Sequence, residues 1–501
     1  MRNLVFILVF VLVTGCVVQP EVVPPVVDEV VQEQVETVEP ESISWLSWLH
    51  TEFSPSDDVI DALSEIVGEQ LELNWQPNAE RNEILTSAIG SRSLGDLVSL
   101  MQFAHNTVIR QAIDDGLFWD IEPFLDDYPN LAQIDKDRLE GSRVNGKLYG
   151  IPFQKPYARY GLLIRKDWLD NLGLEPPKTF DDVMELARAF TEDDPDGNGI
   201  DDTVGLVERD GAFSSSFRNI TGYFGAPNYF SINEQGQVIS AYQHDGFFTA
   251  AEKMRELYSN GYVNQDWVTL DKDSQIEYVI NGKGGMVFMV LTDARIYNIV
   301  AILADEPDPG WVLVGDIEVE GIGRRVISDT NNGIGGLLAI PTTVSEERLP
   351  RVLSVLDKLS SKEAFVTMSY GIEGVHYEIT DSGIYKTLDE EAHGRYVHPM
   401  HSSRPNELWM YEMPTENELD AQAIEWFREN EKYVVLNDCQ TLHSQTHFDE
   451  WGLLFPIMHG AYAKYVLGEI NLNEFLAERD RWLEEGGQRM IDEYEADYAA
   501  Q

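Results

Sequence analysis

The chain has 501 residues, 43% hydrophobic and 11% aromatic, with 36 Lys and Arg against 87 Asp and Glu for a formal charge of −51. That length exceeds one ordinary domain and predicts two lobes with separate cores. A polyanion of this size excludes nucleic acid and anionic membrane surfaces as partners, and it disfavours a strongly anionic ligand unless basic residues cluster locally.

The first residues predict the compartment. Arg2 supplies one positive charge and an apolar run follows over 4–13. Such a run is too short to span a bilayer and reads as a secretory signal. It ends Leu12-Val13-Thr14-Gly15-Cys16, which resembles the bacterial lipobox, so 1–16 are expected to be a lipoprotein signal with Cys16 acylated after cleavage. Several acyl chains at one residue anchor stably where a single chain does not. Only Cys439 then remains, which rules out an intramolecular disulfide and predicts a small buried hydrophobe. Residues 17–42 are Val, Pro and Glu without aromatics, with Pro20, Pro24, Pro25 and Pro40 keeping them extended. They read as a disordered tether.

Order is expected from Ile43, where an apolar run to Leu49 predicts a buried strand. A helix from about Ser56, a strand over 71–75, a helix near Asn78, a strand over 95–101 and a helix over 107–114 follow. A tight turn and an extended run at 144–153 precede a strand over 160–165 that leads into a helix. Further on, the pattern gives a helix over 245–260, a strand over 285–291, another over 334–340 and a helix over 345–359. Residues 451–494 read as helical, with glycine breaks at Gly468 and Gly486. This alternation predicts an α/β fold with mostly parallel sheets covered on both faces, and ligands in such sheets sit beyond the carboxyl ends of the strands.

One loop carries metal chemistry. Asp194, Asp196, Asn198, the Ile200 carbonyl and Asp202 fall on positions 1, 3, 5, 7 and 9 of a calcium-loop pattern, with Gly199 at its sharp turn. Position 12, where a bidentate Glu belongs, is Gly205. The spacing predicts a structural calcium staple rather than a calcium switch.

The order of these features resembles the family 1 extracellular solute-binding proteins, the lipoprotein components of ABC importers, and within them the oligosaccharide-binding branch. The lipobox, 144–153, 165–172, the 194–202 loop, 282–286, 370–377 and 482–494 carry the likeness. The resemblance implies a two-lobed periplasmic-binding-protein fold with multiple hinge crossings. By analogy, 43–152 plus 312–375 form lobe one and 153–311 plus 376–501 form lobe two. It also implies a monomer, lipid-anchored outside the cytoplasm, that delivers a sugar to permease subunits and is not an enzyme. A structural calcium distant from the sugar recurs in that branch.

Sugar rings pack apolar CH faces on aromatic planes while acids and amides take the hydroxyls. Strand ends and loose family analogy give the ligand-binding candidates Trp48, His50, Gln102, His105, Tyr157, Arg159, Tyr223, Thr292, Trp409 and Trp451. Arg159 with Lys155 is the most basic spot in the chain and points to an acidic sugar. Two competing chemistries are weaker. His443 and His447 have metal-type spacing, but Ser444 stands where a zinc hydrolase needs Glu. Abundant carboxylates could hide a glycoside hydrolase pair, so a secreted carbohydrate-active enzyme is the alternative, although no pair stands out.

Overall fold

The computed structural model describes residues 42–103, 106–303, 309–415 and 417–500. The signal, Cys16, most of the tether and His105 lie outside the described residues. Nine strands build two sheets: β1 (Ile43–Leu49), β2 (Leu71–Pro77), β3 (Leu97–Met101), β4 (Gly150–Gln154), β5 (Tyr160–Arg165), β6 (Val204–Leu206), β7 (Gly284–Val290), β8 (Trp311–Val314) and β9 (Ile334–Ala339). The first sheet runs β2-β1-β3-β9-β4 and the second β8-β5-β7-β6.

Apart from the edge strand β2, where Glu72 and Asn74 are exposed, both sheets are covered on both faces, as their near-continuous apolar runs dictate. Side chains alternate across a strand, so Trp45 and Leu97 enter one core of the first sheet while Leu46, Trp48 and Val98 enter another. In the second sheet Leu162, Met286 and Phe288 face one core, and Leu163, Val287 and Met289 the other. With no face open, a ligand has only strand ends to occupy. The flanking helices start where side-chain oxygens cap them: Asn106 accepts from the Val108 and Ile109 amides, and Thr179 and Asp182 form a capping box.

The sheets are mixed rather than mostly parallel. β9 returns antiparallel to both β3 and β4, and β5 is antiparallel to β7 and β8. A strand arriving from the other sheet is free to insert in either sense, which local apolar patterning does not encode.

Two segments dock away from the lobes assigned to them by analogy. β8 pairs with β5, which puts residues 312–314 in the second sheet. The turns over 398–412 pack on the first sheet instead: the Ser402 hydroxyl donates to the Trp48 carbonyl at 3.0 Å, Ser403 and Ser47 share a 2.7 Å hydrogen bond, and Met400 joins the first core. The chain then crosses to helix Glu418–Asn430, whose Trp426 indole donates to the Leu313 carbonyl at 2.9 Å.

Two earlier crossings are stitched together. The Arg159 backbone N–H donates to Asp329 Oδ1 at 2.9 Å and its guanidinium reaches Oδ2 at 2.7 Å. One residue on, the Thr330 hydroxyl donates to the Pro156 carbonyl at 2.7 Å.

Candidate functional site

The ends of β3 and β9 face helix Gln445–Val466 across a cavity of about 440 Å³. Gln102, Asn331 and Gly336 line it from the first sheet, and Tyr229, His447 and Trp451 from the other side. Three of these residues hold left-handed backbone: Gln102 at φ 55°, Tyr229 at 59° and Asn331 at 51°, with Asn332 beside them at 59°. Each costs a non-glycine residue about 1–2 kcal/mol, and such strain persists where a site over-determines it. The Asn332 side chain pays part of that cost, because it donates to the Asn437 carbonyl and accepts from the Asn437 amide, both at 2.9 Å.

The opposite wall is aromatic. His447 stacks on Trp451 with centroids 4.8 Å apart and planes at 9°, and Tyr229 meets Trp451 edge-on at 6.0 Å. Tyr494 fixes the imidazole through a 2.6 Å bond between its hydroxyl and Nδ1. A half-exposed aromatic plane opposite amide side chains can take the apolar face of a sugar ring and its hydroxyls together.

A second cavity, of about 510 Å³, lies at the Lys155–Arg159 crossing. Lys155 runs over Gly335, where a Cβ would stand 2.6 Å from its Cε, so this side chain stands between the two spaces. Its ammonium pairs with Glu407 at 2.6 Å, and Arg404 approaches the same carboxylate oxygen at 3.7 Å. Burial works to raise the Glu407 carboxyl, but Lys155 and Arg404 override it and hold it down to about 2. His401 stacks on His398 at 4.5 Å and lies 6.1 Å from His50. Burial, His398 and Arg404 push His401 down to about 4. Burial with Arg404 lowers His398, and burial with Arg81 and Lys155 lowers His50.

The sequence candidates divide accordingly. Gln102 and Trp451 meet in the first cavity, Arg159 and Thr292 in the second. Trp409 lines a third space and donates to the Ser360 carbonyl, and His50 stands exposed beside His401. Tyr157 packs under Arg138 at 4.0 Å and over Gly333. Trp48 and Tyr223 are corrections: both are 1% exposed core residues, and the Trp48 indole is spent on the Ser99 carbonyl. An aromatic at a strand end points to core or cleft according to register, which spacing alone leaves open. His447 was singled out only for its metal-type spacing with His443, and Asn331, Arg404 and Glu407 went unnamed. The Asn331-Asn332-Gly333 run was their one sequence signal, since Asn and Gly tolerate left-handed turns.

His443 and His447 do not share a helix face, because Ser444 caps the helix between them. Cys439 is buried and free, as expected.

In the 194–202 loop, Gly199 donates its amide to Asp194 Oδ2 at 3.0 Å, and Asn198 Nδ2 lies 2.8 Å from Asp196 Oδ2 and 3.3 Å from Asp202 Oδ1. Three carboxylates and one amide within nine residues fit calcium in composition, and the amide nitrogen stands between two of the carboxylates. Among the described residues no group of three or more His, Cys, Asp or Glu side chains is gathered closely enough to hold a metal. Position 12 is barred by packing: a Cβ on Gly205 would lie 2.4 Å from the Ala187 Cα.

Residues 48–353 match the family model for bacterial extracellular solute-binding proteins. The polygalacturonan/rhamnogalacturonan-binding protein YtcQ of Bacillus subtilis is 30% identical over 457 residues, 90% of each chain. Lipoprotein LipO of the same organism is 30% identical over 454 residues, 87% of this chain and 88% of that one. Among solved structures, an EF-hand mutant of the Streptococcus pneumoniae substrate-binding protein FusA with fructo-nystose superposes with a TM-score of 0.64 at 17% identity, over 92% of this chain and 99% of that one. This chain shares the two-lobed solute-binding fold of such neighbours. The chain belongs to the bacterial extracellular solute-binding protein family.

Proposed function

We propose that this protein captures an oligosaccharide in the crevice between its two sheets and hands it unaltered to the permease of an ABC importer. The observation that carries this is the first cavity, where strained amide-bearing backbone from one lobe faces a half-exposed aromatic wall from the other. Closing two lobes over such a space buries a polar guest on both sides. The relatives point the same way, one named for binding polygalacturonan and rhamnogalacturonan and the FusA neighbour solved with fructo-nystose.

Capture without turnover fits the carboxylates that face the crevice, which are engaged elsewhere. Glu407 is held by Lys155, Asp329 by Arg159, Asp293 by Lys272 and Asp420, at 3.8 Å, by Arg295. Glu208, which burial pushes up to about 7, adjoins a space of about 40 Å³, room for a water but not for a sugar ring. Thermal shift against an oligosaccharide panel, followed by analysis of the recovered ligand, tests the proposal. Stabilisation with intact ligand is expected. Cleavage products, or no stabilisation by any member, would overturn it.

The chain works as a monomer moored by lipid on Cys16, in line with a relative named as a lipoprotein. Residues 194–202 hold a calcium ion that is structural, with Asp194, Asp196, Asn198, the Ile200 carbonyl and Asp202 as ligands and water where Gly205 denies a twelfth. A chelator is expected to lower the melting temperature, by up to ~2.7 kcal/mol of lost stability if calcium had stood at about a hundred times its Kd. Asp194→Ala should abolish that response and leave oligosaccharide affinity unchanged. An unchanged melting temperature on chelation would sink the staple.

A further inference from the structure

We propose that the second cavity is a carboxylate-binding subsite in which Lys155 and Arg404 receive the negative charge of an acidic saccharide, a uronate. The inference rests on oligosaccharide capture and specifies which oligosaccharide.

The balance of charge inverts at this one place. Over the whole chain acids outnumber bases by more than two to one, yet the cavity is lined by Lys155, Arg159, Arg295 and Arg404 against Glu407 and Asp420. Two of the cations are already compensated, Arg159 by Asp329 and Arg295 by Glu390 at 2.9 Å. Asp420 adds a second carboxylate to Arg295, at 3.8 Å, whereas Lys155 and Arg404 share the single carboxylate of Glu407, so positive charge gathers at their end of the cavity.

Arg404 is also oriented for an incoming oxygen. Its Nε donates to the His401 carbonyl at 3.1 Å and Nη1 to Ser369 Oγ at 2.9 Å, which fixes the guanidinium plane. Nη2 stands 3.7 Å from Glu407, beyond hydrogen-bonding reach.

Among the described residues, Arg404 is the one Lys or Arg of the lining with no carboxylate within hydrogen-bonding reach. A partly desolvated charge without a close counter-ion costs free energy, and an incoming carboxylate would remove that cost.

A carboxylate suits this space better than an inorganic anion. Lys155 already holds one in Glu407, a guanidinium fork matches its two oxygens, and Phe365, Tyr370 and Met410 give apolar surface for the attached ring.

The test is equilibrium binding by the full chain of trimers of galacturonate, glucuronate and mannuronate, each beside its methyl ester, which keeps the ring and linkage but removes the charge. At least one acid should bind about tenfold or more tighter than its ester, a difference of ~1.4 kcal/mol, and raised salt should erode that advantage. Arg404→Met, which leaves Glu407 paired with Lys155, should cut the preference of the acid over its ester several-fold. Equal binding of every acid and its ester overturns this subsite and leaves oligosaccharide capture standing. Failure of every oligosaccharide, neutral ones included, overturns both.

Discussion

The two cavities of the crevice are built on opposite principles. The first spends backbone strain and aromatic surface and carries almost no charge: Gln102, Tyr229 and Asn331 sit in left-handed conformations opposite Trp451. The second is made of charges in which two cations divide one carboxylate. Stacking and amide contacts tolerate many sugars, whereas a charge surplus selects for one class. On the proposed reading, reach and selectivity are housed apart, and substitutions should separate them.

The largest effect is expected from Glu407→Gln. Removing one partner of a buried ion pair costs about 3–5 kcal/mol, and the low end applies because Lys155 keeps 23% of its exposure. The melting temperature should fall while affinity for an acidic trimer rises, since the competing carboxylate is gone. A variant that binds the acid more weakly than wild type would break the contrast drawn here.

Trp451→Ala should come next. Losing a central aromatic contact costs about 2 kcal/mol, or roughly thirtyfold in Kd, and the loss should be equal for an acid and its ester. A loss confined to the acid, measured by calorimetry, would mean that the cavities are one site with one chemistry.

The smallest effect is a pH dependence. His401 titrates in the folded chain at about 4, below the ordinary 6.5, so the unfolded chain binds the proton first. Its contribution to stability is therefore complete above about pH 6.5 and is lost as pH falls toward 4. His401→Gln should flatten the melting-temperature profile over that window, and an unchanged slope would remove His401 as its cause.

Much of the scaffold was legible because the signals are local. The apolar run at Ile43–Leu49 and the helical patterns over 107–114 and 245–260 each act within a few residues. Strand sense was not legible, because β9 joins the first sheet only after the chain has visited the second. Half of the second cavity was hidden for the same reason: Lys155 and Glu407 are 252 positions apart, and no spacing rule links them. Trp48 and Trp451 look alike as sequence. Only register and packing send one into the core and the other to the crevice.

The paired crossings have a mechanical consequence. Asp329 grips both the backbone and the side chain of Arg159, and Thr330 ties down Pro156, so the two crossing segments are held side by side like a ribbon. A ribbon folds readily across its width and resists torsion. A tie of this kind should let the lobes swing more freely than they twist.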